Sequence, residues 1–207
     1  MNPYVSQLWR RIRIGIFLGV FLSLTGCASV YVDGNSPEIP ATQFKKPVSA
    51  QPAQLIFEFK TKGIANVAAT NLLKEKVAEQ IEDSGLFSKV SANPVEGGSL
   101  LTLSINNIAL TDDAAAKGFV AGLTFGIAGQ TVADGYEWSL SYFGDPKGNK
   151  PTVVKQGKHV IYTSIGSSAP PSGAIKTDDT KEAVFLMVKQ SLSRLLSELS
   201  LDPQFNR

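Results

Sequence analysis

In Tyr136-Glu-Trp-Ser-Leu-Ser-Tyr-Phe143, large side chains at Tyr136, Trp138, Leu140 and Tyr142 alternate with Glu137, Ser139 and Ser141. Ser99-Leu-Leu-Thr-Leu-Ser-Ile-Asn-Asn-Ile-Ala-Leu110 does the same, with Leu101, Leu103 and Ile105 opposed to Thr102, Ser104 and Asn106. A period of two belongs to a strand with one buried face, so both stretches predict strands of a half-buried sheet. Tyr136, Trp138 and Tyr142 then belong to the sheet core rather than to a sugar-stacking platform.

Outward from this pair, Gln54–Lys60 alternates in the same way through Leu55, Phe57 and Phe59. From Asn66 to Ser84 the period changes. Leu73, Val77 and Ile81 recur every four residues and Gly85 follows, which predicts a helix with a left-handed stop. Leu86–Val90 is a short strand candidate, and Asn93–Gly98 and Gly144–Asn149 are turns. Thr152–Ser164 predicts a polar strand, its Lys155, Gln156, Lys158 and His159 pointing to an edge or solvent-facing position. A loop is expected over Ser167–Thr177. Asp178–Ser200 closes the chain as a helix, with Asp179 able to cap it and Val184, Val188, Leu192, Leu195 and Leu199 on its apolar face. The order β-α-β-β-(insertion)-β-β-α predicts an α+β fold, a mainly antiparallel sheet with two helices on one face, as a single domain over 54–200.

The 207 residues are 43% hydrophobic and 18% charged, which suits a globular chain rather than a disordered one. One Cys excludes an internal disulfide framework and any Cys-based zinc site, and one His excludes the usual multi-His metal sites and argues against a His-dependent triad. Neither a metal nor a cofactor is expected. Residues 1–26 hold Arg10, Arg11 and Arg13 and no acid, so the remainder has 17 basic against 18 acidic residues, a net of −1. That body has no electrostatic footprint for nucleic acid.

The N-terminus reads as an export signal. Three arginines precede an apolar run from Ile14 to Leu24, which ends in Thr25-Gly26-Cys27. The run is shorter than the ~20 apolar residues of a membrane span. Leu24-Thr25-Gly26-Cys27 resembles the lipobox of bacterial lipoprotein precursors: an aliphatic residue, two small residues, then Cys. The resemblance implies a signal peptide over 1–26, cleavage before Cys27 and acylation of that Cys, the only one in the chain. Ala28, where Asp would favour the inner membrane, implies the outer membrane, facing the periplasm. The competing reading is an uncleaved signal anchor with an incidental Cys. Pro37, Pro40, Pro47 and Pro52 make 27–53 read as a tether between lipid and domain. Over 54–200 the element order is similar to that of several envelope lipoproteins, among them penicillin-binding-protein activators, transport auxiliary lipoproteins and curli-secretion-type lipoproteins, without singling out one.

Between the two long strands lies an insertion, 111–134, far longer than a hairpin needs. Sixteen residues between Lys117 and Asp134 carry no charge. Gly118, Gly122 and Gly126 are spaced by four, Gly129 is close by, and Phe119, Leu123 and Ile127 form the adjacent column. The spelling resembles a glycine zipper, in which missing side chains let two backbones approach. In water each such Gly opposes a helix by ~1 kcal/mol relative to Ala. As a helix the sixteen residues span ~24 Å, short of the bilayer core. Membrane or subunit contact and simple packing within the domain both remain open.

The other constellations carry little chemistry. His159 reads as a surface or edge residue, Asp178-Asp179 as a helix start. Asp112-Asp113 lacks calcium-loop spacing, and Ser167-Ser168 has no nucleophile elbow. The expectation is a non-enzymatic, lipid-anchored envelope protein that binds or assembles a partner, or else associates with itself as a secretion or pore component.

Overall fold

Strand formation follows the alternation. In the computed structural model, which describes residues 28–110, 131–165 and 169–205, the two long strands are β5 (Ser99–Ala109) and β6 (Thr131–Phe143). They pair antiparallel, with Leu101 opposite Tyr142, Leu103 opposite Leu140 and Ile105 opposite Trp138. β6 pairs antiparallel with β7 (Val153–Ile165). β2 (Ala53–Thr61) runs parallel to β5 and turns through Lys62 and Gly63, both at positive φ, into β3 (Ile64–Ala65).

Both helices form where the periodicity predicts them. α1 (Val67–Asp83) starts where the Asn66 side chain accepts from the Ala69 N–H at 3.0 Å, satisfying one orphan donor of the first turn. It stops at Ser84, followed by Gly85 at φ +63°. α2 (Thr180–Ser200) starts with the Asp179 carboxylate accepting from the Glu182 N–H at 2.8 Å. The Glu182 carboxylate in turn accepts from the Asp178 N–H. Both helices lie on one sheet face. Leu73, Val77 and Ile81 from α1 and Met187, Leu192, Leu195 and Leu199 from α2 close over Leu55, Phe59, Leu103, Ile105, Trp138 and Leu140.

The fold is α+β, with an eight-stranded mixed sheet that is mostly antiparallel. Its order is β3-β2-β5-β6-β7-β1-β8, and the short β4 (Val90–Ser91) pairs parallel with β2. The parallel β2–β5 pair is one departure from the simplest antiparallel picture, and β4 begins only where the strand expected over Leu86–Val90 ends. Leu86 and Phe87 are instead core residues in the turn after α1.

Three expectations are corrected. The segment 27–53 does not behave as a tether over its described part. Ala28–Val32 is a strand, β1, paired with β7 and with β8 (Ile175–Thr177). The chain then crosses α2, with the Ile39 N–H donating to Ser193 Oγ at 2.9 Å, the Lys45 N–H to Ser200 Oγ at 3.2 Å, and Phe44 buried. The prolines exclude regular pairing only after Val32, and two helix serines satisfy backbone donors that no strand partner takes. Second, β7 is an interior strand between β6 and β1, not an edge. Its polar residues Gln156 and Lys158 point to the helix-free face, which is solvated there. Third, the strand expected after the insertion starts earlier, since Thr131–Asp134 already belongs to β6, and β8 lies inside the stretch expected to be loop.

The helix-free face is polar along most of β5, β6 and β7, where Ser104, Asn106, Glu137, Ser139, Gln156 and Lys158 line a shallow basin. Toward one end it becomes apolar. Leu110, Ala133, Val160 and Tyr162 are buried there, with Tyr31 and Ile108 beside them.

Candidate functional site

Cys27 lies outside the described residues. So do Gly118, Phe119, Gly122, Leu123, Gly126, Ile127, Gly129, Asp112 and Asp113. Their neighbours in the chain are described, and cross-strand register says where they attach. Ala28, next to Cys27, is opposite Ile165 and Ser29 opposite Ser164, on one side of β7. Thr131, where the chain returns from the insertion, is opposite the same Ser164 on the other side. Leu110, where the chain leaves, donates its N–H to the Ala133 carbonyl at 3.0 Å. The chain leading to Cys27 and both ends of the insertion therefore emerge from one end of the sheet. The β1 and β6 positions flank β7 at about 10 Å from each other, two strand spacings.

This end has its own chemistry. Residues 28–32, 131–133 and 160–165 contain no charged side chain. Val132 is 41% and Ile165 44% exposed. The first carboxylates behind it are Asp33, buried and accepting from the Asn35 N–H at 2.8 Å, and Asp134. Burial pushes the Asp134 carboxyl above its ordinary range, and a hydrogen bond from Asn107 opposes that shift. Charge collects toward the other end of the strands, where Lys155 pairs with Asp202 at 2.8 Å. A concavity near that far end is lined by Lys45, Lys46, Phe87, Tyr142 and Phe205, and the last three stack edge-on or tilted at 5.0–6.3 Å between ring centroids.

His159 is 2% exposed, not at a surface or edge. On the strand it shares a face with Ile161 and points to α2, so Lys158 beside it points the opposite way. Its Nδ1 lies 2.9 Å from the Val160 nitrogen and 3.2 Å from the Val160 carbonyl oxygen, and its Nε2 lies 2.8 Å from Gln190 Oε1. Both ring nitrogens are used by structural partners. Burial holds the imidazole below its ordinary pKa of 6.5 and Arg194 adds to this, while Asp33, Gln190 and the Val160 backbone pull the other way.

A group whose folded pKa is depressed binds its proton first in the unfolded chain, so stability is full above pH 6.5 and falls as pH drops below it. Chemical denaturation at about pH 7.5 and about 5.5 should show a lower midpoint at the acidic value, and this dependence should be weaker in His159→Leu. An equal dependence in the variant would remove His159 from the account.

Among the described residues, no group of three His, Cys, Asp or Glu is placed to hold a metal ion. None of their helices is long and apolar enough to cross a membrane.

No protein-family model matches the chain, and no curated protein matches it. Solved structures do show likenesses. A neuraminyllactose-binding hemagglutinin homolog from Helicobacter pylori is 13% identical at a TM-score of 0.41, covering 81% of this chain and 91% of that one. A dodecameric PelC variant from Paraburkholderia phytofirmans is 9% identical at a TM-score of 0.33, covering 84% of this chain and 99% of that one.

Proposed function

We propose that this chain is a lipid-anchored protein of the bacterial cell envelope, held through Cys27 at the outer membrane and facing the periplasm. Its work is to bind or assemble an envelope partner rather than to catalyse a reaction. The observation behind this reading is the shared end of the sheet. The neighbour of the lipobox Cys and both roots of the glycine-rich insertion leave the domain together, within a few strand spacings. A lipid on Cys27 therefore brings the insertion to the membrane surface, where Gly118, Gly122 and Gly126 can meet lipid or a second copy of the chain at close backbone distance.

The second reading, self-association through that insertion, is favoured by its sixteen uncharged residues and by the spacing of its glycines. One pair of variants tests the insertion. Gly122→Leu puts a branched side chain into the groove and should abolish oligomers or membrane contact while the domain stays folded. Gly122→Ala should do far less, since a methyl group is small and favours a helix by ~1 kcal/mol. Native mass and crosslinking in detergent, together with thermal unfolding, read both. Unchanged assembly and membrane contact in Gly122→Leu would show that the insertion takes no part in either.

A further inference from the structure

We propose that the domain stands end-on against the bilayer that holds it, touching lipid through the tip made by the start of β1, the end of β7 and the start of β6. The proposal rests on lipid attachment at Cys27 and adds the orientation and the contact surface.

Slack decides the orientation. Ala28 is already paired in the sheet, so only the Cys27 residue separates strand from lipid, and one residue spans at most ~3.6 Å. A tether of some twenty residues would let the domain tumble at any angle. A single residue holds the β1 end of the sheet within reach of the headgroups.

The composition of the tip suits that position. Its fourteen residues in β1, β6 and β7 carry no charge, so bringing them to the bilayer removes no ion from water. Val132 is opposite Thr163, which makes it a diagonal neighbour of Ile165 on the same face, ~7–8 Å away. Both are more than two-fifths exposed, and together they form one apolar patch at the end that the anchor draws down. β7 runs from this tip to Val153, roughly 40 Å at ~3.3 Å per residue. The lysine- and aromatic-lined concavity around Lys46, Tyr142 and Phe205 thus faces away from the membrane.

Photocrosslinking of the lipidated full chain in phosphatidylethanolamine–phosphatidylglycerol vesicles tests this. Benzoylphenylalanine replaces, one at a time, Val132, Ile165, Val154 or Leu72, four positions of matched exposure between 41% and 48%. Val154 is at the far end of β7 and Leu72 on the outside of α1. Lipid adducts at 132 and 165 should exceed those at 154 and 72 at least tenfold. Equal yields at all four sites, or adducts at 132 and 165 to protein instead of lipid, would overturn the orientation. Acylation of Cys27 is read on the same samples by intact mass. A chain without that lipid fails the anchoring reading itself, whereas a lipidated chain without tip adducts fails only this inference.

Discussion

Cys27→Ala is expected to eliminate incorporation of a palmitate analogue, not to reduce it. The thioether to diacylglycerol requires a thiolate, and the sequence holds no other Cys that could substitute. The variant should also keep its first 26 residues, because cleavage in lipoprotein precursors follows modification, and intact mass will show that extension. It would remain held by the apolar run from Ile14 to Leu24. Acyl chains bring ~0.8 kcal/mol per buried methylene, so the wild-type chain should stay with the membrane through washes at high salt. Undiminished labelling in Cys27→Ala would leave an uncleaved signal anchor as the better account of the N-terminus.

The second large effect lies in the segment that the prolines disguise. Val32 is fully buried and Phe44 nearly so, both within the main core. Val32→Asp puts a carboxylate where no partner is available, at a cost of several kcal/mol out of the ~5–15 that hold a domain folded. A chain lacking residues 28–46 loses β1 altogether, which strips β7 and β8 of their shared neighbour and uncovers the Ser193 and Ser200 side of α2. Both variants should be unfolded or molten by circular dichroism and denaturant titration. Phe44→Ala should lose ~3 kcal/mol, while Val48→Asp, at a fully exposed position, should stay within about 0.5 kcal/mol of wild type. A deletion variant with wild-type stability would restore the tether.

Leu101, Leu103 and Ile105, and Tyr136, Trp138 and Leu140, were legible because burial on one face imposes the alternation directly. Asp179 was legible because capping is local. β1 was not. Five residues, Ala-Ser-Val-Tyr-Val, carry too little pattern to stand out beside four prolines, and the pairing that makes them a strand lies 129–137 residues away. β7 misled for a different reason. An interior strand with one solvated face spells the same polar alternation as an edge strand, and only its neighbours tell the two apart. His159 went with it, read from Lys158 beside it rather than from Ile161 two positions on. For the candidate site, the stretch Leu24–Cys27 that resembles a lipobox and the glycine spacing are visible in the chain. That they attach to opposite flanks of Ser164 is a matter of register, and no local window of sequence contains it.

The pairing of β1 with β7 also sets a schedule. Translation delivers Ala28–Val32 first and Ile161–Ile165 last among the strand residues of that pair. At ~5–20 residues per second the interval between them is on the order of ten seconds. Throughout it the earliest strand has no partner to pair with, and a sheet closed by its most distant segments is slow to complete. Until then Ala28, the residue after Cys27, is not yet held in the sheet. Once β1 locks beside β7, the bond before Cys27 sits one residue from a hydrogen-bonded sheet. If Cys27 is processed as proposed, cleavage has its widest access before β1 is paired, and completion of the fold closes that window.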